Sequence, residues 1–472
     1  MDPHDKPTKE KDPHLPPMGR LGDIYCPRAP QTIADAKLED KTLTDMAVKF
    51  AYTTNRFATD WLCERMCVSP NLGAAVVLDL AGEGLIEETM MGNRERPIYR
   101  ITERGRIHAE RVMEVNGYFG PAPVSLDAYS AMLRWEFARA PEVKPDHVIS
   151  SLSHLVLTPE AVQMAGLAVS SGRSLFVYGP SGNGKSSVGR AIHSAMQGDV
   201  WIPYAINVRN NIIRIFDEQV HQRVEVGGDR AAAIDRRWVR IRRPMVVVGG
   251  ELTLEYLDLV YSPSLRYYEA PPHLKANGGI FLVDDFGRER VSPHQLLNRF
   301  ITPMEHNFDY FTLVTGQKIQ VPLRNVLIIA TNLSLEKVTD PAFLRRMGYR
   351  LMLEAPNEEQ YSKIFHAYAA KHGATVPPGV LEGILARYRA QERDLRACEP
   401  RDLIERSRDI CRFRNKPLEL TPEVLDLAWL GYFGAGGPIK VAGGGEGAGI
   451  ALAHGAAAQR LRRSSNTTFA PW

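Results

Sequence analysis

The chain has 472 residues, 44% hydrophobic and 24% charged, a soluble balance too long for a single core. Its 58 basic and 55 acidic residues leave a net charge of +3, which excludes a strong general pull toward nucleic acid or anionic lipid. No run approaches 18 uninterrupted apolar residues, so no membrane span is expected.

Residues 1–40 are rich in proline and charge, lack apolar periodicity and are expected to be a disordered tail. They contain no apolar stretch of the kind a secretory signal carries. The five cysteines, Cys26, Cys63, Cys67, Cys398 and Cys411, are odd in number and sparse, which fits a reducing cytoplasm. Cys63 and Cys67, four apart, are expected to be buried apolar thiols.

Residues 41–116 read as a small helical unit closed by a hairpin. The spacing in LTDMAVKFAYTTNRF and FATDWLCERMCV predicts two helices. A third begins at Ser69-Pro70 and stops near Gly82-Glu83-Gly84. LIEET and RPIYRITERGR then read as strands around MMGNRER. This order resembles a winged helix-turn-helix. A proline-bearing linker is expected over 117–150.

From 151 to 356, short apolar strands alternate with helical patterns: SLFVYG, MVVVGG, GIFLVDD and NVLIIATN. That alternation predicts an α/β fold with a parallel sheet covered by helices. Two hairpins are expected within it, YAINVRNNIIRIFD (204–217) with an Asn-Asn turn, and DYFTLVTGQKIQVPL (309–323) around Thr315-Gly316. Residues 357–433 return to helical periodicity and suggest a lid. Residues 434–472 are Gly/Ala-rich and expected to be a flexible tail.

The strongest motif is Gly179-Pro180-Ser181-Gly182-Asn183-Gly184-Lys185-Ser186, followed by Ser187. It fits G-x-x-x-x-G-K-[ST] between a strand and a helix. Such a loop wraps phosphate with backbone N–H groups, and the helix N-terminus adds partial positive charge. Lys185 is expected on the β- and γ-phosphates of ATP and Ser186 on Mg²⁺. About 100 residues on, the strand Gly278–Val283 ends in two acids. Asp284 is expected on the magnesium side, leaving Asp285 to orient the attacking water.

With these residues the sequence resembles the AAA+ ATPases over most of 150–433. Ala330-Thr331-Asn332 is similar to their sensor 1, which implies that Asn332 helps to place the water. Asp340-Pro-Ala-Phe-Leu-Arg345-Arg346 is similar to the segment bearing their arginine finger. The resemblance implies that Arg346, or else Arg345 or Arg350, serves a neighbouring subunit's nucleotide in trans. Glu399-Pro-Arg401 is similar to sensor 2, implying that Arg401 couples nucleotide to lid. The resemblance also implies a ring, a hexamer in the commonest form. The second Walker B acid is Asp285 where the family has glutamate, one methylene or about 1.5 Å shorter. An active but slow ATPase is expected. The hairpin at 309–323 resembles the pre-sensor 1 hairpin of MoxR-type and chelatase motors, which grips a substrate in the ring's pore. The loop GAFTGA of enhancer-binding activators is absent.

Residues 41–115 carry ten Lys/Arg and eleven Asp/Glu, and the third helix has two acids and no base. DNA affinity leans on phosphate neutralisation, so protein docking is expected over nucleic acid. Arg94, Arg96, Arg100, Arg104 and Arg106 leave a wing contact open. The expected function is an ATP-driven remodelling motor with a protein client. The alternatives are a nucleic-acid-associated ATPase and a non-hydrolysing scaffold.

Overall fold

The computed structural model describes residues 12–39, 41–89, 97–227, 233–334 and 341–434. Residues 1–11 and 435–472 of the expected tails, with Arg94, Arg96 and Asp340, lie outside these. The chain divides into two compact units, Met1–Ala355 and Pro356–Trp472.

The first unit opens with an antiparallel hairpin, β1 (Met18–Leu21) and β2 (Ile24–Pro27). Residues 12–39 were expected within a disordered tail and are instead ordered. Met18, Leu21, Ile24 and Cys26 join a β core contributed by distant segments, and Trp201 Nε1 donates to the Tyr25 carbonyl at 2.9 Å. So few apolar residues give no local period; their partner surface lies about 180 residues away.

Next come α1 (Thr42–Tyr52), β3 (Phe57–Ala58), α2 (Thr59–Met66), α3 (Pro70–Gly82), β4 (Ile86–Glu88), β5 (Ile98–Ile101) and α4 (Glu103–Val115). Ser69 caps α3, its hydroxyl accepting from Leu72 N–H, and Pro70 follows at the first helical position. The strands pair antiparallel in the order β3-β5-β4. A Cβ on Gly73 would meet Cys63 Sγ at 2.1 Å, so this glycine lets α3 press onto α2. Cys63 is buried, whereas Cys67, expected buried, ends α2 in the left-handed region and is partly exposed. The second strand was expected to run through Arg106. It stops at Ile101 because Thr102 caps α4, accepting from Gly105 N–H at 3.0 Å.

The stretch 117–150, expected as a linker, is structured. It holds β6 (Val124–Ser125), α5 (Leu126–Arg139) and the start of α6 (Pro145–Leu152). Its prolines fall before or at the first turn of helices, where they are tolerated, and Tyr129, Met132 and Leu133 are buried.

The chain continues through α7 (Pro159–Ser171), β7 (Leu175–Tyr178), α8 (Lys185–Ala195), β8 (Asp199–Pro203), β9 (Ala205–Val208), β10 (Asn211–Arg214), β11 (Trp238–Arg242), β12 (Met245–Val248), β13 (Val260–Ser262), β14 (Tyr267–Glu269), α9 (Pro272–Lys275), β15 (Ile280–Phe286), α10 (Pro293–His306), β16 (Phe308–Thr312), β17 (Lys318–Pro322), β18 (Val326–Thr331), α11 (Pro341–Arg346) and β19 (Tyr349–Met352). Five of these form a wholly parallel sheet, β12-β15-β18-β7-β19. The four strands expected from the sequence are its first four members. β19, YRLM, is interrupted by a charge and lacks the continuous apolar run that marks the other four. Alternate residues divide between the faces. Leu175, Val177, Leu282 and Ile328 pack on α7 and α8; Phe176, Phe281, Val283 and Ile329 pack toward α10. This is a P-loop α/β fold with helices on both faces.

From segments between these strands, and from β6 before them, the chain builds a second sheet, β13-β14-β10-β9-β6, and a β8–β11 pair. The β9–β10 hairpin turns on Arg209-Asn210, one residue before the expected Asn-Asn. Both lie at positive φ, 50° and 63°, the requirement of a type I′ turn. The carboxylate of Glu39 accepts from both turn N–H groups at 2.7 Å each. Ala205, Ile212 and Tyr267 of this sheet share the core of the N-terminal helical unit, which is therefore packed on the β insert. The β16–β17 hairpin stands between α10 and β18 as expected. Phe311, Leu313, Ile319 and Val321 bury one face in the insert core, while Tyr310 and Val314 remain 51% and 68% exposed.

The second unit is helical: α12 (Glu358–Lys371), α13 (Val380–Ala390), α14 (Glu399–Phe413) and α15 (Pro422–Phe433). Asn357 and Gln360 form a reciprocal capping box at its start. At its centre Tyr361 donates to the Tyr388 hydroxyl at 3.2 Å, and Tyr388 donates to Glu399 at 2.6 Å.

Candidate functional site

The C-terminal ends of β7, β15 and β18 bring the predicted loop and acids together. Gly179 leaves β7 with φ 138°, and a Cβ there would lie 2.1 Å from the Leu353 carbonyl oxygen. Only glycine lets the loop turn so close to the chain after β19. Lys185 opens α8 and folds back over its own loop, Nζ donating to the carbonyls of Gly179 at 3.0 Å and Pro180 at 2.8 Å. Burial pulls its ammonium below the ordinary lysine range, opposed by the charges of Asp285 and Asp284.

Ser186 Oγ donates to Asp284 Oδ1 at 2.6 Å, joining the first turn of α8 to the end of β15. The same oxygen accepts from Asp285 N–H at 3.0 Å. Two adjacent strand residues ordinarily point to opposite faces. Here the register with β18 slips between Val283 and Phe286, and Asp285 adopts φ 52°. One extra residue is accommodated as a bulge, which re-aims side chains. Asp284 reaches Ser186, while Asp285 accepts from Asn332 Nδ2 at 2.9 Å. Thr331 Oγ1 donates to the Phe286 carbonyl at 2.6 Å and fixes the strand beyond the bulge. Arg288 approaches Asp285 to 3.6 Å, and both are largely exposed.

A serine hydroxyl and a carboxylate oxygen beside a phosphate loop form a hard-oxygen set suited to magnesium. That ion is commonly held by one or two protein oxygens, with phosphates and waters completing it. Among the described residues no cluster of three or more His, Cys, Asp or Glu could hold a metal by itself.

The arginines expected to reach a neighbouring subunit's nucleotide in trans lie away from this loop. Arg345 and Arg346 end α11 just before β19 begins, at the opposite edge of the sheet from Gly179. β7 alone, four residues long, separates the two edges by about 13 Å. Arg346 is paired with Glu305. Arg345 is exposed and makes no ion pair or side-chain hydrogen bond among the described residues. Arg350 donates to the Leu344 carbonyl. Arg401 belongs to the second unit, where it donates to Asp402 Oδ1 at 3.0 and 2.8 Å from the first turn of α14. Leu353, which crowds Gly179, and the bulge at Asp285 were not anticipated; neither has a signature in residue type.

A family model described as a domain of unknown function, DUF8689, matches residues 357–430. No curated protein matches the sequence. Among solved structures the chain is similar to NtrX from Brucella abortus in complex with ADP, at 16% identity and a TM-score of 0.37, over 68% of this chain and 59% of that one. The complex of the same protein with ATP gives 16% and 0.36, over 68% and 62%. The Thermotoga maritima RuvB Holliday junction branch migration motor gives 12% and 0.34, over 58% and 68%. The chain thus spans about three fifths of the length of the NtrX structures it matches.

Proposed function

We propose that the chain is an AAA+-type ATPase of the branch with a hairpin before its fourth sheet strand. It binds ATP with Mg²⁺ and uses hydrolysis to remodel or assemble a protein partner in the cytoplasm. The observation that carries this reading is the 2.6 Å hydrogen bond from Ser186 to Asp284, which sets the metal-side hydroxyl and carboxylate side by side at the mouth of the loop 179–186.

In this reading the loop N–H groups and Lys185 take the phosphates, Lys185 leaving the two carbonyls it now satisfies. Ser186 and Asp284 would hold magnesium, whose charge offsets that of the β- and γ-phosphates. Asp285 accepts a proton from the attacking water, and Asn332 orients both. Arg345 and Arg346 are too far along the sheet to serve their own loop, which supports action in trans within a ring. Arg345 is the better finger, because it is exposed and uncommitted while Arg346 is held by Glu305. Arg401 would couple nucleotide state to the helical unit.

The N-terminal unit has the element order of a winged helix, with β3 between α1 and α2 and α3 in the recognition position. The exposed face of α3 is uncharged apart from Asp79, and Leu78 is 70% exposed. That face suits protein docking. Exposed Arg104 and Arg106 on α4 favour, as a second reading, a nucleic-acid contact there. Salt-sensitive DNA binding that stimulates turnover would support it.

The test is ATP binding and hydrolysis by the wild type, Lys185→Ala and Asp285→Asn. Wild type turns over, Lys185→Ala loses binding, and Asp285→Asn binds without turnover. Tight ATP binding by Lys185→Ala would sink the site.

A further inference from the structure

A polar cleft of about 500 Å³ opens at the N-terminal edge of the parallel sheet, the edge opposite the loop. Ser174 and Asn325, which precede β7 and β18, form part of its wall. Four guanidinium-bearing residues line it, Arg173, Arg324, Arg345 and Arg346, against one acid, Glu305. Glu305 is committed to Arg346. Arg173, Arg324 and Arg345 make no ion pair among the described residues. Arg324 is half-buried, and its guanidinium lies over the face of Phe137, 5.1 Å from the ring centre. Burial and the nearby Arg134 hold its pKa below the ordinary arginine range. Arg173 and Arg345 are exposed, whereas Arg324 is partly desolvated without an acid, a cost that an anion would offset.

A second observation points the same way. His273 lines the cleft and is 3% exposed. Its Nε2 meets Asp309 Oδ2 at 3.0 Å, and Asp309 is also gripped by Arg299. Its Nδ1 is buried and has no hydrogen-bond partner among the described residues. A buried polar atom without a partner, on a side chain that lines a polar cleft, calls for a water or ligand beside it.

We propose that this cleft is a second phosphate-binding site, in which Arg173, Arg324 and Arg345 take the phosphate chain of a nucleotide or polyphosphate. Guanidinium forks match phosphate oxygens bidentately, and three arginines lining one polar hollow are suited to a chain of phosphates. The volume lies within the range of small-ligand sites. The phosphate comes from one of two sources, a free molecule or the nucleotide held in the loop of a second copy. The latter rests on the ring reading above and would make Arg173 and Arg324 partners of the finger.

Titration calorimetry with tripolyphosphate, alone and at low salt, tests the site. If the source is free, wild type takes about two equivalents per chain. Lys185→Ala then keeps one, and adding Arg173→Gln with Arg324→Gln to that variant weakens the remaining binding at least about 10-fold. If the source is a second copy, wild type takes about one equivalent. Mixing Lys185→Ala with the Arg173→Gln/Arg324→Gln chain then restores ATP hydrolysis above either alone, since one interface unites an intact loop with an intact cleft. One equivalent unaffected by the arginine changes, with no gain on mixing, overturns the proposal. Arg173→Lys/Arg324→Lys, which keeps charge but loses the fork, serves as the folded control and is expected to bind with intermediate affinity. Undiminished ATP binding by Lys185→Ala would instead count against the loop, a result separable from loss of the cleft.

Discussion

Asn332, just beyond β18, donates its amide hydrogen to Asp285 on β15 at 2.9 Å. The bond crosses between neighbouring strand ends and aims the one carboxylate not engaged by Ser186. Asn332→Ala frees Asp285 to rotate and to swing toward Arg288. The expected result is a fall in kcat of about 10- to 100-fold, smaller than loss of a base itself, with the KM for ATP nearly unchanged. Steady-state kinetics check it. A parallel loss of ATP affinity would mean that Asn332 shapes the phosphate site instead.

Asp285 stands where the pattern that the sequence resembles has glutamate, and its backbone offers a reason. At φ 52° it occupies the left-handed region, which asparagine and aspartate tolerate better than longer residues. Asp285→Glu therefore adds reach but strains the bulge by about 1 kcal/mol. Turnover is expected to stay flat or fall, and the melting temperature to drop by a few degrees. A several-fold gain in kcat at unchanged stability would show that carboxylate length, not the bulge, limits hydrolysis.

The loop, both acids and Asn332 were legible because their chemistry fixes residue type and spacing. The four apolar strands were legible because continuous apolar runs mark strands of a covered parallel sheet. What escaped depends on contacts distant in sequence. The hairpin at 18–27 is stable only on a core that includes Trp201 and Trp238. Residues 117–150 looked like a linker because Pro121, Pro123, Pro141 and Pro145 suggest interruption, yet Pro145 opens a helix and Tyr129 fills a core. The bulge that lets Asp284 and Asp285 serve one site is a matter of register, invisible in a run of seven letters.

Gly179 sits where a methyl group would overlap the Leu353 carbonyl. Gly179→Ala must push the loop away from β19 or shift the strand. Combined with φ 138°, this is expected to cost about 2–3 kcal/mol. Urea unfolding should show the loss, and ATP affinity should fall with it. Gly316→Ala at the β16–β17 turn, where a Cβ meets nothing within 4 Å, is the comparison. It shares a positive φ but not the crowding, so it should cost only about 1 kcal/mol.

Lys49 of α1 is 1% exposed, and its Nζ donates to the carbonyls of Asn116 at 3.0 Å and Tyr118 at 2.8 Å. Burial lowers its pKa from 10.5 to about 8, with Asp45 opposing. A neutral amine keeps two hydrogens, enough for both carbonyls, so deprotonation removes the desolvation penalty without breaking the tie. Between pH 8 and 10.5 the unfolded chain holds a proton that the folded chain has lost, so stability rises with pH across that window. Below pH 8 both states are charged and the gain is absent. Each tenfold difference in proton affinity between the folded and unfolded chain corresponds to about 1.4 kcal/mol. Lys49→Met should be less stable at pH 10, where it leaves two buried carbonyls without a donor, at a cost of about 1–3 kcal/mol each. It should also lack the wild type's rise between pH 8 and 10. Urea midpoints of the two proteins at pH 7.5, 9 and 10 measure the difference. Parallel pH profiles would show that the lysine titrates at its ordinary value and that the tie between α1 and residues 116–118 carries no hidden charge penalty.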